Sequence, residues 1–141
     1  MRESLLRRFV LGFSIVVPPC VIYGILRWYP LDFYTIAAVA LMAPSYVLLV
    51  SARIQLGKSF SVSAQAKQLV TSGLYSKIRH PVYLFAQAFF LGVVIALRSS
   101  QWLGLWAILL VVQLLRIRKE ERVLEETFGD AYATYKKSTW F

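Results

Sequence analysis

Four apolar runs alternate with polar segments along the chain, and they cover residues 9–28, 34–52, 82–97 and 102–115. A helix of about 20 residues spans about 30 Å, the thickness of the hydrocarbon core of a bilayer. The first two runs therefore predict membrane-spanning helices. The third and fourth are shorter, but only a four-residue link separates them, which favours a membrane hairpin whose flanking residues snorkel. The pattern predicts an all-α polytopic membrane protein with about four transmembrane helices.

Two polar segments are too long to be plain connectors, namely residues 53–81 and the segment from residue 116 onward. The first contains Gly73, which predicts a turn. The second predicts that the fourth helix continues as a polar helix over 116–128, and that a short helix over 131–137 follows. We therefore expect one membrane domain over the whole chain, with C-terminal cytoplasmic helices.

Composition and charge support the membrane assignment. Apolar residues make up 58% of the chain and the mean hydropathy is +0.59, above the range of typical soluble domains. The net charge is +9, with three basic residues in the N-terminal segment, five over 53–79 and six from residue 116 onward, but one in each of the other two loops. Basic residues favour cytoplasmic loops, so both termini and the central segment are predicted to be cytoplasmic. Anionic lipid head groups explain this charge more simply than nucleic acid does.

Several common kinds of active site are disfavoured. One histidine and one cysteine do not make a typical zinc site, and a single cysteine excludes an intramolecular disulfide. Residues 57–59 read Gly-Lys-Ser, but the glycine that begins a phosphate-binding loop is missing. No Asp or Glu lies within the four apolar runs, which argues against a proton-coupled transporter.

Two polar clusters remain as candidates for chemistry, each beside one of the shorter apolar runs. Around the start of the third run stand Tyr75, Arg79, His80 and Tyr83. Just past the fourth run stand Arg116, Glu120 and Glu121. An interfacial belt of aromatic and basic side chains explains the first cluster without a ligand, and an ion-paired solvated helix explains the second. A carboxylate at the membrane surface is also suited to binding a cationic ligand.

In this order, and joined by a helical hairpin, the two clusters resemble the isoprenylcysteine carboxyl methyltransferase family, whose wider group includes phospholipid N-methyltransferases. The matching residues are Leu69-Val70-Thr71-Ser72-Gly73-Leu74-Tyr75, Arg79-His80-Pro81-Val82-Tyr83, Arg116, Glu120-Glu121 and Phe128-Gly129-Asp130-Ala131-Tyr132-Ala133-Thr134-Tyr135. The match covers about residues 57–137 and is specific in its combination and spacing. It implies the cofactor S-adenosyl-L-methionine and a fold unlike the soluble Rossmann-type methyltransferases.

The resemblance also implies roles for individual residues in two cofactor-site segments, 67–83 and 116–135. The cofactor-binding residues are Lys67, Gln68, Leu69, Val70, Tyr75, His80, Pro81, Val82, Tyr83, Glu120 and Glu121. Arg116 and His80 are the implied catalytic residues, and Arg116 faces the acceptor substrate. Many relatives carry a small residue at the positions of Val82 and Leu84, so this departure bears on the choice of acceptor.

The implied partners are membrane lipids and a lipophilic acceptor, for which a carboxylate is favoured. A carboxylate is ionised at neutral pH and needs no general base, and Arg116 can orient it by a bidentate contact. If the acceptor is instead an amine, His80 or Glu121 is the candidate to take its proton. The rival hypothesis is a non-enzymatic four-helix scaffold or transporter subunit, and binding of S-adenosyl-L-methionine distinguishes the two.

Overall fold

The computed structural model describes residues 2–56 and 69–140, with side chains described from residue 12 onward. In this part of the chain every regular element is a helix. The helices are α1 (Arg2–Trp28), α2 (Phe33–Leu56), α3 (Pro81–Leu97), α4 (Ser100–Phe128) and α5 (Asp130–Ser138), with a 3-10 helix at Gly73–Ser76. The prediction of an all-α protein is confirmed.

The helix that contains the first apolar run begins well before it, at Arg2, and it continues through Pro18 and Pro19. A short loop then leads to α2, where Asp32 accepts a 3.1 Å hydrogen bond from the backbone N–H of Thr35. This bond satisfies a donor that the first turn of a helix leaves without an intrahelical partner.

Helices α2 and α3 form the most extensive helix pair of the described chain. A Cβ atom added at Gly92 of α3 would lie 3.0 Å from the backbone oxygen of Ala38 and would collide with the side chain of Met42. Glycine therefore allows the two backbones to approach closely, as small residues do in membrane helix pairs. Ala38, Met42 and Phe89 are core residues of this interface.

A two-residue link, Arg98 and Ser99, joins α3 to α4, and Arg98 adopts a left-handed backbone with φ 53°. The guanidinium group of Arg98 lies 2.7 Å from Asp32 Oδ1 and donates a 3.2 Å hydrogen bond to the hydroxyl of Thr35. It also lies over the rings of Tyr29 and Tyr34. This cluster ties the α3–α4 link to the α1–α2 loop at one end of the molecule.

Helix α4 packs on α3 along a narrow strip, and none of its residues is buried. The exposed apolar side chains of its first half are suited to contact with lipid. Along the strip, the indole N–H of Trp106 donates a 3.2 Å hydrogen bond to the backbone oxygen of Gln87. The predicted continuation of this helix through residue 128 is confirmed.

The described residues contain two helices that are long and apolar enough to cross a membrane, namely Phe33–Leu56 and Ser100–Phe128. Gly12–Trp28 and Pro81–Leu97 are shorter apolar helices. The four apolar runs thus correspond to four helices, while the crossing of the membrane by all four stays a prediction.

The C-terminal helix folds back onto the 3-10 helix. Gly129, with φ 49°, separates α4 from α5, and the short helix predicted over 131–137 is confirmed. The hydroxyl of Tyr135 donates a 2.6 Å hydrogen bond to the backbone oxygen of Tyr75. Farther along, the backbone N–H of Trp140 donates to the oxygen of Lys77 at 3.0 Å. These bonds hold α5 against the segment that precedes α3.

Candidate functional site

A polar site lies where the C-terminal end of α2, the N-terminal end of α3 and the second half of α4 come together. Antiparallel packing brings these ends to the same side of the molecule, opposite to the Arg98 cluster. Arg53 at the end of α2 lies within electrostatic reach of Tyr75 and Tyr83. Tyr75 and Tyr83 each lie within electrostatic reach of Glu120. The two clusters of the sequence thus form one site in the folded chain.

His80 and Glu121 join α3 to α4. His80 is the residue before α3, its side chain is 8% exposed, and its Nε2 lies 3.2 Å from Glu121 Oε1. A carboxylate only accepts hydrogen bonds, so the imidazole donates through Nε2. Arg79 Nη1 lies 3.1 Å from the same oxygen as an ion pair. Glu121 therefore fixes the orientation of the imidazole from the facing helix.

Burial and charge set the protonation states of this pair. Burial lowers the pKa of His80 below its ordinary 6.5, and this effect outweighs the opposing hydrogen bond to Glu121 and the nearby carboxylates. For Glu121, partial burial raises the pKa, but the hydrogen bond from His80 and the charge of Arg79 outweigh burial and lower it. The pair at neutral pH is thus a neutral imidazole that donates to a carboxylate.

Lys136 on α5 closes the outer rim of the site. Its Nζ lies 2.9 Å from Glu125 Oε1 and 3.7 Å from Glu121 Oε2. Glu121 and Glu125 are one turn apart on α4 and therefore lie on the same face of the helix, as their spacing in the sequence predicts. This exposed pairing contributes little to stability, but it positions the second oxygen of Glu121.

Arg116, Tyr83 and Glu120 form the inner part of the site. The guanidinium carbon of Arg116 lies 5.9 Å from the centroid of the Tyr83 ring, within the range of a cation–π contact. Tyr83 also interacts with the carboxylate of Glu120. Oxygen Oε2 of Glu120 is buried and has no hydrogen-bond partner among the described residues. A buried carboxylate oxygen without a donor is costly, so this atom is a candidate to contact a ligand cation.

The remaining predicted site residues are placed as follows. Leu69 and Val70 are half-buried just before the 3-10 helix, Pro81 is fully buried at the start of α3, and Val82 is half-buried. Lys67 and Gln68 lie outside the described residues.

Besides Lys136 and Glu125, three residues take part in the site without having been given a role from the sequence. Arg53 and Arg79 contribute charge, and Tyr132 of α5 is fully buried. The Tyr132 hydroxyl has no hydrogen-bond partner in the described chain, and burial raises its pKa to about 12. The spacing of Tyr132 and Tyr135 would have indicated a shared helix face, because residues three apart are neighbours on a helix.

Comparison with known proteins gives two findings. A family model described as phospholipid methyltransferase matches residues 33–131, well over half of the chain. A protein-S-isoprenylcysteine O-methyltransferase of Schizosaccharomyces pombe (strain 972) is 34% identical over 116 residues, which cover 74% of this chain and 47% of that protein. The chain thus spans about half the length of this relative.

Proposed function

We propose, because the chain belongs to the phospholipid methyltransferase family, that it is an integral membrane methyltransferase that uses S-adenosyl-L-methionine to methylate a lipophilic acceptor, most readily at a carboxylate. The observation that carries this proposal is the buried Oε2 of Glu120, which lies beside Tyr83 and Arg116 and has no hydrogen-bond partner among the described residues. Residues 1–141 act in this proposal as one membrane domain.

The residues of the site fit S-adenosyl-L-methionine. When bound, this cofactor supplies an electrophilic methyl group on a positively charged sulfur. Glu120 contributes a carboxylate oxygen that lacks a donor among the described residues, which suits a cationic group of the ligand. Tyr75 and Tyr83 supply aromatic surface next to that carboxylate. Lys67, Gln68, Leu69, Val70, His80, Pro81, Val82 and Glu121 complete the proposed pocket.

Arg116 is proposed to orient the acceptor. Its guanidinium group lies over Tyr83, adjacent to Glu120, and its fixed fork of N–H donors matches a carboxylate. Holding two reactants in line supplies a large part of the rate of a displacement reaction. The S. pombe relative is named for methyl transfer to oxygen on S-isoprenylcysteine, which supports this acceptor class.

An amine acceptor is the second candidate, and the lowered pKa of His80 supports it. A neutral imidazole at pH 7 is able to take the proton that an amine loses on methylation. His80 is proposed to act in this way, with Glu121 holding the ring in place. The description of the family model, which concerns phospholipids, agrees with this alternative.

Access follows from the position of the site at one end of the helices. The cofactor enters from the cytoplasm and the lipid tail of the acceptor lies along the apolar, exposed face of α4. In the proposed topology α1 to α4 each cross the membrane once, so both termini and the site lie on the same side, which is proposed to be the cytoplasmic one. The excess of basic residues at that end supports this orientation.

Binding of S-adenosyl-L-methionine to the detergent-purified protein tests the cofactor site. We expect Glu120→Gln to weaken binding by roughly 10- to 100-fold, because a hydrogen-bonded charge contributes about 1.5–3 kcal/mol. The matched control is Glu126→Gln, which changes an exposed carboxylate on the same helix. Equal affinity of the two variants, measured by isothermal titration calorimetry, would contradict the proposed site.

The acceptor atom is identified by incubating the protein with a lipid extract and S-adenosyl-L-methionine that carries a radiolabelled methyl group. A methyl ester releases its label as volatile methanol in base, whereas an N-methylated lipid keeps it. Base-labile product is the expected result, and base-stable product would replace the carboxylate with the amine. A protein that binds no cofactor and labels no lipid would favour a non-enzymatic scaffold.

A further inference from the structure

A group of hydrogen-bond donors lies under α5, where this helix covers the segment that precedes α3. Arg79 stands two residues before α3, and its side chain is 18% exposed. Tyr132 of α5 is fully buried and lies within electrostatic reach of Arg79. Tyr135 and Lys136 of the same helix also lie within reach of the Arg79 charge. Arg79 is therefore part of the interface between α5 and the start of α3.

Three polar atoms in this interface have no hydrogen-bond partner among the described residues, namely Nε and Nη1 of Arg79 and the hydroxyl of Tyr132. Nη1 lies 3.1 Å from Glu121 Oε1 as an ion pair, but without the geometry of a hydrogen bond. The charge of Arg79 opposes the rise in the pKa of Tyr132, so the two groups are close, yet they are not aligned for a hydrogen bond. Each of the three atoms carries a hydrogen to donate, so the group that satisfies them is an acceptor.

A purely structural role leaves these donors unexplained. An arginine that only tied α3 to α4 would be expected to donate hydrogen bonds to Glu121, because a buried donor that lacks an acceptor is destabilising. A guanidinium group matches an anion that has two or more acceptor oxygens, such as a carboxylate or a phosphate. The donors of Arg79 and Tyr132 thus form a candidate anion subsite.

The neighbourhood of His80 indicates which anion fits. His80 lies within electrostatic reach of both Arg79 and Glu120. Arg79 has donors that lack an acceptor, and Glu120 has a carboxylate oxygen that lacks a donor, among the described residues. These opposite demands match an α-amino acid group, in which an ammonium and a carboxylate are attached to the same carbon. S-adenosyl-L-methionine ends in this group.

We propose that Arg79 and Tyr132 bind the carboxylate at the amino acid end of S-adenosyl-L-methionine, while Glu120 binds the ammonium. A lipid phosphate would also accept hydrogen bonds from Arg79, but the helix that covers Arg79 carries the exposed Lys136 and Lys137 and is not apolar. This position favours the water-soluble cofactor. The inference rests on the proposed function and assigns a part of the cofactor to residues that the family resemblance left without a role.

The test compares two ligands that differ in this carboxylate, S-adenosyl-L-methionine and its decarboxylated form, which keeps the sulfonium and the amine. Isothermal titration calorimetry on the detergent-purified protein, without a lipid acceptor, gives the affinity for each. The wild-type protein is expected to bind S-adenosyl-L-methionine roughly 10- to 100-fold more tightly, the effect of a hydrogen bond to a charged group. In Arg79→Gln this ratio falls to about 1, because affinity is lost for the carboxylate-bearing ligand alone.

Further variants separate the contributions of charge and hydrogen bonding. Arg79→Lys keeps the charge and is expected to keep part of the ratio. Tyr132→Phe removes one neutral donor and is expected to lower the ratio about 2- to 10-fold. Glu120→Gln weakens the binding of both ligands by a similar factor, because both carry the ammonium, and leaves the ratio unchanged. Arg122→Gln is the matched control, since Arg122 is an exposed arginine on α4, and its ratio is expected to equal that of the wild type.

Two results with Arg79→Gln would overturn the inference. Loss of the same factor for both ligands would assign Arg79 a structural role as a tie to Glu121. A ratio equal to that of the wild type, together with a higher lipid concentration for half-maximal methylation, would assign Arg79 to a lipid phosphate.

The outcomes with the wild-type protein separate this inference from the proposed function. Equal affinity for the two ligands overturns the carboxylate subsite and leaves the methyltransferase intact. A wild-type protein that binds neither ligand overturns the proposed function, and the carboxylate subsite falls with it.

Discussion

At the scale of single residues, His80 couples the site to pH. It is the only histidine of the chain, and burial lowers its pKa below the ordinary 6.5. As the pH falls, His80 therefore binds a proton in the unfolded chain before it does so in the folded chain. The contribution of His80 to the free energy of unfolding is full above pH 6.5 and is lost as the pH falls through the folded pKa. The lowered pKa of Glu121 acts in the same direction, but only below its ordinary 4.5.

The corresponding prediction concerns thermal unfolding between pH 7 and pH 5. We expect the Tm of the wild-type protein in detergent to fall over this range, and the Tm of His80→Gln to fall less, because few other groups titrate there. Tryptophan fluorescence follows the unfolding, since the chain has four tryptophans. Parallel curves for the two proteins would show that His80 is not the group that titrates.

At the scale of elements, the docking of α5 depends on few bonds. The 2.6 Å hydrogen bond from the Tyr135 hydroxyl to the Tyr75 backbone is buried, so Tyr135→Phe leaves a buried carbonyl without its donor. We expect a loss of about 1 kcal/mol in the free energy of unfolding and weaker binding of S-adenosyl-L-methionine. Tyr23→Phe is the control, since Tyr23 is 70% exposed. Equal unfolding curves for both variants would show that this hydrogen bond does not contribute to the free energy of unfolding.

The elements themselves were largely predictable, and the contacts between them were not. A backbone in lipid must satisfy its own hydrogen bonds, so long apolar runs predict helices. Helical spacing in the sequence identifies residues that are neighbours on one helix, for example Glu121 and Glu125. They do not show that Glu121 meets His80 and Lys136 from two other elements, or that Gln87 faces Gln113. The predicted site residues came from the family resemblance, whereas their contacts with one another are seen only in the folded structure.

At the scale of the whole molecule, the two ends differ in chemistry. One end holds the Arg98 cluster with Asp32 and Thr35, a compact tie between two short loops. The other end holds the proposed site and most of the basic residues. Because Lys and Arg are retained on the cytoplasmic side during insertion, the site end is predicted to face the cytoplasm. In the proposed function, a water-soluble cofactor enters the site from that side.

Single cysteines at the two ends test this orientation in a Cys20→Ser background, which removes the one native thiol. Glu126 and Leu31 are both exposed, and they lie at the site end and the opposite end respectively. We expect a membrane-impermeant maleimide to label Glu126→Cys only in inside-out vesicles and Leu31→Cys only in intact cells. The reverse pattern would contradict a cytoplasmic site. Labelling of both positions from one side would contradict a crossing by each of α2, α3 and α4, because three crossings put the two positions on opposite sides of the membrane.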